Sequence, residues 1–191
     1  VFMDIWHIRG KRALGGTCFV QGSKNATLPI IAASIICPAR SELMNVPQLR
    51  DVDAALRILR HIGCTAEQRG GEVYIDSTYL SCSAIPHELM VEMRSSVIFM
   101  GALLARCGEA RLSLPGGCQL GKRPIDIHLS ALRAMGAEID EDGTEIYCRA
   151  AKLHGAEIEL PFPSVGATEN IMLAACAARG KTVIHGAARE P

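Results

Sequence analysis

Four stretches of the chain set residues that handle anions or protons beside glycines and at expected helix starts. In Gly22-Ser23-Lys24-Asn25-Ala26, Ser23 and Asn25 are favoured cap types. A lysine beside the unpaired amides of a helix N-terminus makes a compact anion site, suited to phosphate or carboxylate. The same residues also fit an ordinary cap with a solvated lysine. The second stretch runs from Leu114 to Asp126 through Pro115-Gly116-Gly117-Cys118 and Lys122-Arg123-Pro124-Ile125. Its glycines and prolines make a loop able to move, with the Cys118 thiol displayed on it. A thiol titrating near about pH 8.5 is protonated at neutral pH and can act as a general acid, whereas Lys122 and Arg123 would favour the thiolate and nucleophilic attack. A structural loop with an incidental thiol fits the spacing equally. Arg123 stands before Pro124, a favoured first helical residue, so its guanidinium can hold phosphate in two-pronged fashion near a helix start.

The third stretch, Pro163-Ser164-Val165-Gly166-Ala167-Thr168-Glu169-Asn170, offers small residues and two hydroxyls ahead of an apolar helix. It is either a backbone cradle for a polar ligand or a plain capping loop. The fourth is Arg94 in Glu92-Met93-Arg94-Ser95-Ser96, within a mainly apolar helix expected to begin near Pro86. A buried guanidinium must reach solvent, an acid or an anionic ligand. Glu92, two residues away, faces elsewhere on a helix, which leaves Glu88 or a ligand.

These stretches are positioned by a unit that begins three times, about every 70 residues, longer than the common solenoid periods. Each copy opens with an apolar helix stopped by a small turn: 28–36, 97–105 and 171–178. A short strand follows, at 42–46, 111–114 and 181–184. In the first two copies a second helix comes next, at 52–62 and 124–135, closing on Gly63 or Gly136, and then a hairpin turning at Gly70-Gly71 or Asp142-Gly143. Helices 28–36 and 170–178 are apolar nearly all round and belong inside the domain. Helices 52–62 and 124–135 are amphipathic, with Arg57, Arg60 and His61, or His128 and Arg133, expected toward solvent. The spacing predicts an α/β (α+β) domain of mixed sheets over residues 18–191, with copies at about 18–80, 81–152 and 153–191. The third copy stops before its second helix and hairpin, which predicts a longer polypeptide. Residues 1–17 read as a strand with a Gly15-Gly16 turn whose partner lies in a second domain.

With 49% hydrophobic and 21% charged residues, 191 residues supply a sizeable core. Formal net charge is zero and aromatics make up 4%, so neither phosphate tracking nor base stacking has a platform and nucleic acid is disfavoured as a partner. No apolar run approaches the roughly 20 residues of a membrane helix, and the opening lacks a signal-peptide core, which predicts a soluble cytoplasmic chain with no membrane partner. Eight cysteines without a CxxC pair argue against zinc; seven are expected to pack as small buried hydrophobes.

Taken together, the Gly-Ser-Lys-Asn turn, Arg94-Ser95-Ser96, the Pro-Gly-Gly-Cys loop running into Arg123-Pro124-Ile125-Asp126, the Ser164-Val165-Gly166 stretch and Ala187-Ala188-Arg189-Glu190-Pro191 resemble the UDP-N-acetylglucosamine enolpyruvyl transferase family in order and spacing. The resemblance implies repeated α/β units around buried helices, an inside-out α/β barrel that is one of two such domains flanking the active site. It implies transfer of the enolpyruvyl group of phosphoenolpyruvate to the 3′-hydroxyl of UDP-N-acetylglucosamine with release of phosphate, the first committed step of peptidoglycan synthesis. No cofactor or metal is implied. Lys24 and Asn25 would then contact phosphoenolpyruvate, Asn25 also the sugar nucleotide, and Arg94 and Arg123 would hold anionic groups. Cys118 would protonate or add to phosphoenolpyruvate and would be the residue alkylated by fosfomycin. Arg123, Pro124, Ile125, Asp126, Ile127, Ser164, Val165 and Gly166 would line the uridine and diphosphate pocket. One lysine common in the family just before the Ser-Val-Gly stretch has no counterpart, since Pro161-Phe162-Pro163 stands there. The family's aspartate base and further arginines also have no counterpart in these residues. The resemblance thus implies one wall of a cleft, inactive until a C-terminal domain completes it. A 5-enolpyruvylshikimate-3-phosphate synthase shares the fold and the Gly-Ser-Lys turn, but Asn25 and the Cys118 loop argue against it. A non-catalytic sugar-nucleotide-binding fragment is the remaining alternative. Nothing in the sequence speaks to oligomeric state.

Overall fold

The computed structural model describes residues 7–11, 13, 15–93, 95–113 and 125–189. Three helices form the centre: α1 (Lys24–Ala33), α4 (Phe99–Cys107) and α6 (Val165–Ala175). Their inner residues, among them Ile31, Phe99, Leu103, Ile171 and Ala174, are fully shielded from water. Burial of each such large side chain is worth about 1.5–3 kcal/mol, which is what holds helices of middling propensity together. Ile30 and Met172 stay half-exposed on the outer sides of α1 and α6, so the all-round apolar pattern overstated their burial.

Around this centre lie the outer helices and sheets that the repeating unit predicts. In the first copy β1 (Arg40–Leu43), α2 (Arg50–His61), β2 (Thr65–Arg69) and β3 (Glu72–Asp76) follow α1, and the antiparallel sheet runs β1-β3-β2. In the second, β4 (Ala84–Ile85) and α3 (His87–Glu92) lead through a 3-10 turn at Ser96–Ile98 into α4. There follow β5 (Glu109–Ser113), α5 (Asp126–Ala134), β6 (Glu138–Glu141) and β7 (Glu145–Arg149). This mixed sheet runs β4-β5-β7-β6, with β4 and β5 parallel. The third copy has β8 (Glu157–Glu159) ahead of α6 and β9 (Val183–His185) after it, again a parallel pair. Gly63 and Gly136 follow the outer helices with φ of 103° and 92°, left-handed positions that stop each helix where the sequence places its cap.

Residues 7–11, 13 and 15–23 carry no strand, and Phe19 and Val20 are about nine-tenths exposed. Two expectations are corrected. Helix α3 ends at Glu92 and Met93 is extended, so the long apolar helix from Pro86 is two helices with a break between them. Among the seven cysteines expected to be buried, Cys64 and Cys148 are, and burial pushes their thiols up to about 11 and about 12. Cys18, Cys37, Cys107 and Cys176 are exposed instead. Cys37, Cys107 and Cys176 lie at or just beyond the ends of the central helices, where the chain turns outward to solvent. Among the described residues no helix is long and apolar enough to cross a membrane.

Candidate active site

Helices α1 and α6 begin on the same pattern, Ser-x-x-Ala-Thr. In Ser23-Lys24-Asn25-Ala26-Thr27 the Thr27 hydroxyl donates to the Ser23 carbonyl at 2.8 Å, and in Ser164-Val165-Gly166-Ala167-Thr168 the Thr168 hydroxyl donates to the Ser164 carbonyl at 2.8 Å. The threonine in each ties down the turn and leaves the intervening residues at the helix mouth. The Thr168 hydroxyl is thus engaged within the fold. Thr168 is buried, and its hydroxyl oxygen also accepts from the Ala188 amide at 3.1 Å.

At the α1 mouth, Ser23 is the N-cap residue but its side chain makes no capping bond, so the first-turn amides stay open. Pro29 lies four residues past Asn25 and has no N–H, which deprives the Asn25 carbonyl of its helical donor. The Asn25 side chain is exposed and has no hydrogen-bond partner among the described residues. Lys24 is half-exposed and its Nζ lies 2.9 Å from Asp51 in the first turn of α2. That carboxylate, not anticipated from sequence, holds the ammonium beside the open amides. Gly22 lets this happen, because a Cβ there would run into the Asn45 carbonyl oxygen, itself in a left-handed turn at φ 55°.

At the α6 mouth, Ser164 does cap its helix, its Oγ accepting from the Ala167 amide at 3.3 Å. Val165 and Gly166 are partly buried. Gly166 is covered by His128, whose ring packs on it so closely that a Cβ there would lie 3.3 Å from Cε1. His128 is expected to face solvent on α5 but is 8% exposed, because α6 packs over that side of α5. Burial lowers its pKa to about 4, so the ring is neutral at physiological pH. Its Nδ1 is 3.1 Å from Nδ2 of Asn170, a polar residue inside an otherwise apolar helix. An asparagine within a run such as Asn170-Ile171-Met172-Leu173 must be satisfied internally, and that was the signal available in the sequence.

Ile125 stands at the N-cap position of α5, and Asp126 and Ile127 line a shallow cleft of about 210 Å³ with Leu160 and Pro161 opposite. The cleft adjoins the stretch leading to Ser164, so Ile125, Asp126, Ile127, Ser164, Val165 and Gly166 are brought to neighbouring helix starts. A larger hollow of about 360 Å³ at Gln48, Arg50, Asp53 and Gln68 contains none of the expected site residues. Cys118, Arg94, Arg123 and Pro124 lie outside the described residues.

The sequence profile of the EPSP synthase (3-phosphoshikimate 1-carboxyvinyltransferase) family matches residues 8–191. The chain belongs to the EPSP synthase family. Within it, the chain is 48% identical over 189 residues to UDP-N-acetylglucosamine 1-carboxyvinyltransferase 2 of Caldanaerobacter subterraneus subsp. tengcongensis, covering 99% of this chain and 45% of that protein. It is also 48% identical to UDP-N-acetylglucosamine 1-carboxyvinyltransferase of Oleidesulfovibrio alaskensis, with the same coverage. The chain thus spans about 45% of the length of the curated relatives it matches. Among solved structures, the enolpyruvyl transferase NikO from Streptomyces tendae superposes with a TM-score of 0.72 at 20% identity, over 86% of this chain and 39% of that one. EPSP synthase from Acinetobacter baumannii gives 0.70 at 25% identity, over 92% and 41%. The enolpyruvyl transferase fold expected from the motifs is the fold observed.

Proposed function

We propose that the chain contributes to transfer of the enolpyruvyl group of phosphoenolpyruvate to the 3′-hydroxyl of UDP-N-acetylglucosamine, with release of phosphate. The observation that carries this reading is the 48% identity, over 99% of the chain, to proteins named for that carboxyvinyl transfer. In this reading the α1 mouth takes phosphoenolpyruvate. Lys24, presented by Asp51, neutralises its anionic groups, and Asn25 with the open first-turn amides holds phosphoenolpyruvate and the sugar side of the acceptor. The α5 and α6 mouths take the sugar nucleotide, with Arg123, Pro124, Ile125, Asp126 and Ile127 at the uridine and Ser164, Val165 and Gly166 at the diphosphate. Arg94 supplies a further positive charge.

Cys118 acts as the acid. Its proton goes to the methylene carbon of phosphoenolpyruvate, the neighbouring carbon becomes cationic, and the 3′-oxygen adds there as its own proton leaves. Loss of phosphate from the tetrahedral intermediate, with a proton from the new methyl group, restores the enol ether. Residues 1–191 form one wall of the cleft, and a second domain carrying the proton acceptor for the sugar hydroxyl forms the other. The setting is cytoplasmic, in assembly of the peptidoglycan precursor.

A second reading, 5-enolpyruvylshikimate-3-phosphate synthesis, is favoured by the family profile and by the A. baumannii superposition. Fosfomycin separates the two. Mass addition at Cys118 that phosphoenolpyruvate suppresses or UDP-N-acetylglucosamine accelerates supports the first reading. Protection by shikimate 3-phosphate instead supports the second. Phosphate release by the purified chain alone would contradict the assignment of a single wall.

A further inference from the structure

Asn170 is fully buried and its side chain has all three of its bonds made by other helices. Its Oδ1 accepts from the Gly101 amide at 2.6 Å. Gly101 is the third residue of α4, where a helix leaves amides without internal partners, and a Cβ there would collide with Asn170. A backbone N–H can only donate, so the atom facing it is the amide oxygen and the orientation of the group is fixed. The two hydrogens on Nδ2 are then assigned to the Val97 carbonyl at 3.3 Å and to Nδ1 of His128 at 3.1 Å. Because Nδ2 can only donate, Nδ1 must be the acceptor, and in the neutral ring the proton therefore sits on Nε2.

Among the described residues Nε2 has no hydrogen-bond partner, and the residue as a whole is 8% exposed. The Cε1–Nε2 edge lies against the first turn of α6, where a Cβ on Gly166 would stand 3.3 Å from Cε1 and 3.7 Å from Nε2. An N–H with no acceptor among the described residues, set against the first turn of α6, is a preset donor. We infer that Asn170 is a positioning residue. By donating to Nδ1 of His128 it holds the ring in the tautomer whose Nε2–H is offered at Gly166 to an oxygen of the sugar nucleotide. The inference rests on the sugar-nucleotide reading of the α5 and α6 mouths. It adds a residue that touches no ligand, and a chain of contact from the α4 N-terminus through α6 to α5.

The test joins the ring's tautomer, read from long-range ¹H–¹⁵N correlations of the His128 imidazole, with calorimetric titration of UDP-N-acetylglucosamine. The native chain should show Nε2–H. Asn170→Asp places a carboxylate opposite Nδ1, so the proton should move to Nδ1 and affinity should fall about ten- to a hundredfold, the loss of one hydrogen bond to a charged group. Should that variant not fold, His128→Asn and His128→Gln decide the matter. The first puts an amide where Nδ1 was and loses the outer donor, so binding should weaken to the same extent. The second reaches the Nε2 position and should retain most of it. A native ring protonated on Nδ1, or unchanged affinity in Asn170→Asp and His128→Asn, would overturn the inference. If the native ring carries Nε2–H but the chain does not bind UDP-N-acetylglucosamine, the sugar-nucleotide reading fails, while the tautomer still supports Asn170 as the residue that sets the ring.

Discussion

Inside the shared Ser-x-x-Ala-Thr frame, the start of α1 carries Lys24 and Asn25, both exposed, and the start of α6 carries Val165 and Gly166, both partly buried, with Gly166 against His128. One mouth is charged and open, with Ser23 leaving the amides free. The other is uncharged and close-packed, capped by Ser164 and backed by a buried histidine. Repetition of the unit supplies the same backbone device twice, a helix start whose threonine secures the turn. Substitution of the two residues inside the frame then gives each copy a different surface. A lysine sets a positive charge beside open amides, whereas glycine lets the His128 ring come close to the backbone.

The comparison can be broken first at its glycines. Gly22→Ala drives a methyl group into the Asn45 carbonyl, backbone against backbone, and should cost about 3 kcal/mol or more in urea unfolding. Gly166→Ala meets only the edge of a ring, and the gain in helix propensity of up to about 1 kcal/mol offsets the ring's small displacement, so stability should barely change. Equal costs at the two sites would show that the mouths are not built differently.

Acid distinguishes them next. His128 titrates near 6.5 when unfolded and at about 4 in the folded chain, so below about pH 6.5 the unfolded state binds the extra proton. The stability this contributes is complete above that pH, falls on acidification and is lost by about pH 4, amounting to at most about 3 kcal/mol. Unfolding midpoints of the native chain and His128→Gln, measured from pH 7 to pH 4, should converge as the pH falls. Parallel curves would mean that the ring is not held neutral.

The serines give the smallest effect. Ser164→Ala removes a capping bond and should cost about 1 kcal/mol, whereas Ser23→Ala removes none and should cost no more than about 0.3 kcal/mol. A reversal would place the real cap at α1.

Local chemistry made much of the frame legible from sequence. Gly63, Gly136, Gly70 and Gly143 all take positive φ at the helix stops and hairpin turns that their neighbours predict. What stayed hidden depends on distant packing. His128 lies on the side of α5 that a helical wheel assigns to solvent, and α6, in another copy, covers it. Asp51 meets Lys24 across 27 positions because the turn at Asn45 folds back on Gly22, a close approach that no spacing rule reports. The exposed thiols were misjudged for a related reason. An apolar neighbourhood in sequence, as around Cys37 and Cys176, ends up at the ends of the central helices, where the chain turns out to water.

The proposed function requires that the two differently built mouths serve one substrate pair. The most direct measurement is a ¹H–¹⁵N titration of the purified chain with UDP-N-acetylglucosamine, before and after addition of phosphoenolpyruvate. The sugar nucleotide should shift Val165, Gly166, Ala167 and Asp126 together with Asn25, and phosphoenolpyruvate should then move Lys24 and Ala26. Shifts confined to one mouth, or none at either, would contradict it.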